Sequence, residues 1–359
     1  MTSLFEPLTL RGLTIRNRIF LPPMCQYQCN AKDGVPNDWH LVHYGARAAG
    51  GFGLLIAEAA GVLPEGRITP WCTGFWNDRQ TEGWARIAAY AHSQGAAFGV
   101  QLQHAGRKGS IYRDFDAPGT GSAPLEDGGW ETVGPSAVAF PGLAAPRAAS
   151  LDDIAQIKQA FVDAAVRADQ AGLDTVQLHA AHGYLLFEFL SPLSNQRTDE
   201  YGGDFAGRSR LLLETVDAVR AVWPERKPLM VRVSATEWVD DGWSAEETVA
   251  LAELLGGSGV DMIDVSSGGN IVAKIPTGPG YQVPLAQTVA KAGVPVSAVG
   301  LITTAAQAQD ILASGDIAAC CIGREAFRDP NWPLRAGWEL GLDRDALPYP
   351  PSYLRGRFK

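Results

Sequence analysis

The sequence predicts an α/β protein built as a closed (β/α)8 TIM barrel. Eight short, β-rich apolar runs recur along the chain, and helix-length amphipathic stretches lie between them. Parallel strands covered on both faces read as near-continuous apolar runs, and most of these do. An open doubly wound sheet would normally carry a GxGxxG turn after an early strand, and none is present.

In chain order the strand candidates are Arg18–Pro22, Leu54–Ala59, Ala97–Gln103, Thr175–His179, Leu229–Ser234, Met262–Ser266, Val294–Val299 and Ala318–Ile322. Helices are predicted over Leu151–Ala171 (Ser150 leads into acids of its first turn), Arg208–Val222, Ala245–Leu255 and Thr304–Ala313. Gly172, Gly256 and Gly315 stand where helix C-caps are wanted. Two stretches break the alternation. Residues 8–17 alternate at period two around Gly12 and predict a small N-terminal hairpin closing the barrel floor. Residues 105–149, after the third strand, are rich in Gly, Pro, Ala and Asp. They are too long for an ordinary connection and predict a functional excursion over the barrel mouth. No solenoid repeat or domain boundary intervenes, so residues 1–359 read as one domain.

A net charge of −9 argues against a general nucleic-acid or anionic-membrane binder, which needs a basic face. No apolar run approaches the roughly 20 residues that span a bilayer. The N-terminus lacks the charged and apolar regions of a secretory signal, so a cytoplasmic location is expected. The five cysteines have no disulfide-framework spacing. Cys320 and Cys321 fall in an apolar strand and are expected to pack as small hydrophobes, whereas Cys25 follows the end of the first strand.

The chemistry concentrates at strand ends. His179-Ala-Ala-His182-Gly-Tyr184 follows the apolar run 174–178, at the end of a strand where barrels carry catalytic groups. Two histidines can donate to one oxygen and a nearby tyrosine can deliver a proton, which suits an unsaturated carbonyl compound. A metal-ligand pair or structural histidines remain open, although no HExxH helix or Cys/His cluster supplies a third zinc ligand. Gln101 and Gln103 point to one side of the third strand. Arg232 is a charge within a buried strand, which is expensive unless paired. It reads either as an ion pair with Glu58 or Asp264, or as a fixed cation beside an anionic cofactor atom. Gly300, Gly323 and Arg324, at the ends of the last two strands, form the usual barrel phosphate site. A phosphate site alone fits FMN or a phosphorylated sugar, so a non-redox phosphate-binding lyase or isomerase stays open. Such an enzyme would more naturally use a lysine or carboxylate at a strand end.

Taken together these segments resemble the Old Yellow Enzyme family of FMN-dependent ene-reductases. The resemblance runs through Leu4-Phe-Glu-Pro-Leu8, Arg16-Asn-Arg18, Pro22-Pro-Met-Cys-Gln-Tyr27, Glu65-Gly-Arg67-Ile68, Gln101-Leu-Gln-His-Ala-Gly-Arg107-Lys108, the His179–Tyr184 segment and residues 189–203. Met24-Cys25-x-Tyr27 and the tail Tyr353-Leu-Arg355-Gly356 are similar to the bacterial thermophilic-like branch, which includes xenobiotic reductases.

The resemblance implies that Pro22, Pro23, Met24 and Cys25 line the flavin, with Cys25 tuning its potential. It implies that Ala59 and Gln101 hold the pyrimidine part, and that Arg232 sits where reduction places negative charge. Gly300, Gly323 and Arg324 would hold the phosphate. His179 and His182 would bind the carbonyl or nitro oxygen of an enal, enone, maleimide or nitroalkene, and Tyr27 would orient it. Hydride would pass from flavin N5 to the β-carbon and a proton from Tyr184 to the α-carbon. NADPH or NADH would reload the flavin in the same pocket, giving ping-pong turnover. Arg355 reaches a neighbouring subunit's site in related proteins, so a homodimer or homotetramer is expected.

Overall fold

The eight predicted runs close edge to edge into an all-parallel barrel in the computed structural model, which describes residues 3–358. Ahead of it, β1 (Leu8–Leu10) and β2 (Leu13–Ile15) pair antiparallel. The barrel strands are β3 (Ile19–Leu21), β4 (Leu54–Gly61), β5 (Ala97–Gln103), β8 (Thr175–Ala180), β9 (Leu229–Ser234), β10 (Met262–Ser266), β11 (Val296–Ala298) and β12 (Ala319–Cys321). They neighbour one another in that order, and β12 returns to β3. Between β5 and the next helix, β6 (Val133–Gly134) and β7 (Arg147–Ala148) form a two-residue parallel pair inside the excursion.

The surrounding helices are α1 (Asp38–Ala49), α2 (Asp78–Ser93), α3 (Leu151–Gln170), α4 (Leu185–Leu190), α5 (Phe205–Val222), α6 (Ala245–Gly257), α7 (Val283–Ala290), α8 (Ala305–Ala313), α9 (Arg324–Arg328) and α10 (Trp332–Glu339). Ser150 caps α3 as its sequence suggests: its hydroxyl accepts from the Asp153 N–H, and Asp153 accepts in return from the Ser150 N–H. Gly172 and Gly315 take left-handed φ just past α3 and α8. Gly256 does not cap α6. That helix runs on to Gly257, and Gly259 (φ +84°) takes the left-handed position instead. None of the helices among the described residues is long and apolar enough to cross a membrane.

The barrel interior is layered. At its floor Phe20, Leu54, Ile56, Ala97, Met230 and Met262 pack with Leu10 and Ile15 of the hairpin, which therefore seals that end. Burying each large apolar side chain contributes about 1.5–3 kcal/mol. In the hairpin Arg11 takes the left-handed φ of +49°, and Gly12 is needed for space: a Cβ there would lie 2.9 Å from the Arg226 carbonyl oxygen. Outward-facing residues such as Phe98, Leu102, Leu178 and Val231 form the larger core with Phe161, Leu211 and Leu251 of the helices. Cys320 and Cys321 are buried in these layers, as expected of small hydrophobes.

One irregularity in β4 decides which residues face the barrel axis. Ala57 pairs with Val100 and Ala59 with Gln101, so Glu58 is an extra residue, a β-bulge. Strict alternation from Leu54 and Ile56 would turn Glu58 inward and Ala59 outward. The bulge exchanges them. Glu58 turns out to lie 3.1 Å from His40 Nε2 and to accept from the Gln26 N–H at 2.9 Å.

Candidate active site

Above the apolar floor the interior becomes polar. Gln101 Nε2 donates to Gln177 Oε1 at 2.8 Å, and Ser297 Oγ donates to Asp264 Oδ1 at 3.0 Å. Arg232 Nε lies 3.1 Å from Asp264 Oδ2. Of the two partners the sequence allowed, Arg232 takes Asp264, because the bulge has turned Glu58 away. The carboxylate offsets the cost of a buried guanidinium. Among the described residues no protein acceptor holds the terminal nitrogens of Arg232, so the ion-pair reading is met at one edge and the other edge is left without a protein partner.

Those free nitrogens border a cavity of about 190 Å³ lined also by Ser266, Gln282, Gly300, Gly323 and Arg324. Gly300 has φ +126°, which L side chains rarely adopt. Gly323 precedes α9, and a Cβ built on it would lie 3.6 Å from Met24 Sδ and 3.7 Å from the Pro22 ring. The chain after β3 therefore runs beside the ends of β11 and β12, with Pro22 buried and Pro23, Met24 and Cys25 half-buried. Arg324 is exposed at the rim of the cavity.

The His179–Tyr184 segment supplies the adjoining wall. The rings of His179 and His182 meet edge to face at 5.1 Å between centroids, and those of His179 and Tyr184 at 5.0 Å. His179 is buried in β8 and its Nδ1 has no hydrogen-bond partner. Gln103, one position past the Leu102–Leu178 pairing just as His179 is, also carries a buried amide without partners. Buried polar atoms are rarely left unsatisfied, and a group of them beside a cavity is what a polar ligand would complete. With the free edge of Arg232 and the glycine-bordered cavity, this donor set fits a bound flavin mononucleotide.

The loop after β8 is held by close contact. His182 has φ +58° and Gly183 φ +68°. A Cβ on Gly183 would fall 2.3 Å from Asn270 Cα, and one on Gly269 would fall 2.7 Å from His182 Cα. The loops after β8 and β10 thus touch backbone to backbone. Lys108 clamps them together, donating to the His182 carbonyl at 2.8 Å and to the Gly269 carbonyl at 2.7 Å. Its ammonium also lies 5.0 Å from the Tyr184 ring centre, and burial lowers its pKa to about 8. Behind it Arg107 donates to the Asn270 backbone and side-chain oxygens at 2.6 and 2.9 Å, while Glu188 accepts from the Arg107 N–H. Burial raises the Glu188 carboxyl to about 8.

Protonation follows from burial. Desolvation holds both histidines well below the usual imidazole range, helped by His182 in the case of His179 and by Arg232 and Lys108 for both. Both are neutral at pH 7. His182 Nε2 lies 2.7 Å from Ser266 Oγ. The Ser266 hydroxyl has one proton and two acceptors in reach, His182 Nε2 at 2.7 Å and Gln282 Oε1 at 3.3 Å, the latter also accepting from Ser267 Oγ at 2.6 Å. Given to the nearer acceptor, that proton leaves the His182 proton on Nδ1. Desolvation also pushes the phenols of Tyr184 and Tyr27 well up. Cys25, Tyr27 and Tyr184 pack around Ile68, Cys72 and Ala105, so the three side chains share one small cluster. Burial raises the Cys25 thiol and keeps it protonated.

Arg355 is the exception to this convergence. It lies on the exposed turn Pro351–Gly356 and makes no hydrogen bond or ion pair among the described residues. In the other direction, Lys108, Gln177 and Ser266 carry weight that the sequence did not assign to them. Lys108 sat within the quoted Gln101–Lys108 segment. Gln177 was detectable as an amide in an apolar strand run.

The family profile described as "NADH:flavin oxidoreductase / NADH oxidase family" matches residues 3–342. An NADPH dehydrogenase of Geobacillus thermodenitrificans is 44% identical over 357 residues, covering 99% of this chain and 98% of that protein. Morphinone reductase in complex with tetrahydroNAD superposes with a TM-score of 0.79 at 27% identity, covering 99% of this chain and 94% of the other. The Old Yellow Enzyme homologue from Zymomonas mobilis gives 0.78 at 27% identity, covering 97% and 99%. Barrel, polar inner layer and sequence agree: the chain belongs to the NADH:flavin oxidoreductase / NADH oxidase family, the Old Yellow Enzyme group, and is an oxidoreductase that uses FMN and NAD(P)H.

Proposed function

We propose that this oxidoreductase reduces activated C=C bonds in α,β-unsaturated aldehydes and ketones, maleimides and nitroalkenes. The observation that carries the reading is the neutral His179–His182–Tyr184 group at the end of β8, beside the cavity bordered by Arg232. Pro22, Pro23, Met24, Cys25, Ala59, Gln101 and Arg232 would hold the flavin ring, and Gly300, Gly323 and Arg324 its phosphate. FMN supplies reversible hydride chemistry when bound. His179 and His182 donate hydrogen bonds to the carbonyl or nitro oxygen, drawing electron density from the β-carbon. Tyr184 holds its proton at neutral pH and delivers it to the α-carbon. Tyr27, packed in the same cluster as Tyr184, orients the substrate. The free edge of Arg232 stabilises negative charge beside it.

Cytoplasmic residence and a homodimer or homotetramer belong to the same proposal. Among the described residues Arg355 has no partner, and exposed Tyr353, Leu354 and Trp338 lie beside it or on the neighbouring α10. An exposed apolar patch of that kind supports assembly, with Arg355 turned toward a neighbouring subunit.

An anaerobic visible spectrum of the purified protein tests the function. Flavin bands should bleach on adding NADPH and return on adding 2-cyclohexenone. Bleaching without return would set aside the enone substrate. A protein that stays colourless after FMN is supplied would favour the phosphate-binding lyase or isomerase.

Cys25 provides a narrower test. Its neutral thiol is half-buried within the cluster shared by Tyr27 and Tyr184. Cys25→Ser is expected to shift the flavin midpoint potential by about 30 mV, ~1.4 kcal/mol for a two-electron couple, with turnover retained. An unchanged potential in a redox titration would reduce Cys25 to a packing role.

A further inference from the structure

The excursion between β5 and α3 is joined to the substrate pocket through Arg113. Its Nη1 donates to the Tyr27 carbonyl at 2.8 Å and to Asn30 Oδ1 at 2.9 Å, and Nη2 reaches the Asp116 carbonyl at 3.4 Å. The guanidinium lies 4.7 Å from the Trp71 ring centre and 4.9 Å from that of Phe115. A planar cation can stack on rings and donate in its own plane together, which an ammonium cannot. Trp71 is in turn tied to the same loop, its carbonyl accepting from the Cys29 N–H at 3.0 Å.

The residue so held is unusual. Tyr27 has φ +53°, a left-handed backbone that bulky L residues avoid. Its loop is fastened again five residues on. Lys32, with φ +56°, donates to the Asp127 carbonyl of the excursion at 2.7 Å and lies over Trp71 at 4.7 Å. Arg67 Nη1 donates to the Lys32 carbonyl at 3.0 Å. Strained backbone persists where surrounding contacts over-determine it, and here two of those contacts come from the excursion.

We propose that Arg113 is a positioning residue for the substrate. By holding the Tyr27 carbonyl it fixes the left-handed backbone that turns the Tyr27 ring toward the cluster containing Tyr184. The excursion thereby sets how tightly substrate is oriented, without touching it. This inference rests on the reading of the pocket as an ene-reductase site. It separates Arg113 from His179 and His182: its loss loosens one wall while leaving the hydrogen-bond donors and the flavin contacts in place.

The test compares Arg113→Met and Arg113→Lys in the FMN-loaded protein. Methionine keeps an apolar stem against Trp71 and Phe115 but removes every donor. KM for 2-cyclohexenone should rise about tenfold, with kcat and flavin affinity close to wild type. Hydrogen exchange of the amides of residues 26–32 should quicken in the same variant. Lysine, which keeps one charged donor, should recover part of both effects. An unchanged KM with faster exchange would overturn the substrate role and leave a purely structural clamp, and unchanged exchange would overturn the clamp itself. If wild-type protein bleaches with NADPH but reduces no enone, the substrate role falls with the reading it rests on. The exchange measurement still decides whether Arg113 holds Tyr27.

Discussion

Tyr184→Phe is expected to slow enone reduction about 10²–10³-fold while leaving flavin reduction by NADPH close to the wild-type rate. The substitution removes one oxygen and keeps the ring, so the contact with His179 at 5.0 Å and the packing around Ile68 and Ala105 survive. What is lost is the proton. Burial holds the phenol protonated well beyond its ordinary range, so the donor does not run out as pH rises through neutrality. The rival donor is Lys108, whose ammonium lies over the Tyr184 ring with a pKa lowered to about 8. The two are separable. Residual activity in Tyr184→Phe that falls above about pH 8 would belong to Lys108, because its proton is then lost. Activity flat across that range would come from solvent. Stopped-flow measurement of both half-reactions decides the assignment, and equal slowing of the two would make Tyr184 a structural residue.

The barrel was legible in the sequence because strands buried on both faces need no alternation to be seen. All eight apolar runs became barrel strands, and the period-two pattern of residues 8–17 became the hairpin at the floor. The His179–Tyr184 segment was legible for a related reason: polar groups at a buried strand end stand out against the run before them. The sequence could not show which way Glu58 faces. Counting by twos from Leu54 sends it inward, and only the bulge, a register shift between two paired strands, turns it to His40 and brings Ala59 to the axis. That single residue also decided the partner of Arg232. Lys108 escaped for a comparable reason. Its role depends on two loops, after β8 and β10, that are far apart in sequence and meet only because Gly183 and Gly269 let their backbones touch. The C-cap placed at Gly256 failed more simply, since Gly259 lies within one turn and serves as well.

Substituting His179 and His182 together by Ala should weaken binding of a phenol or enone about 100-fold while the flavin stays bound. Each neutral imidazole donates one hydrogen bond to the ligand oxygen, and a neutral bond of this kind is worth about 1–1.5 kcal/mol, or roughly tenfold. The single variants should not be equal. His182 Nε2 lies 2.7 Å from the Ser266 hydroxyl, which would set its tautomer by donating there. When His182 is removed, that hydroxyl can turn to Gln282 Oε1, 3.3 Å away, so no buried donor is stranded. His179 has no such partner for Nδ1 and sits deeper, so its removal opens a cavity beside an already unpartnered Gln103 amide. The His179 variant should therefore lose stability as well as affinity, and the His182 variant mainly affinity. Ser266→Ala extends the logic: the His182 ring remains, but with nothing to hold its proton on Nδ1 the affinity should fall part of the way toward that of His182→Ala. Titration of the oxidised holoprotein with a phenol, followed in the flavin spectrum, measures all four variants on one scale. Release of flavin from the double variant would instead assign the pair to the cofactor. A Ser266→Ala protein that binds like wild type would show that the tautomer is set by the ligand rather than by the protein.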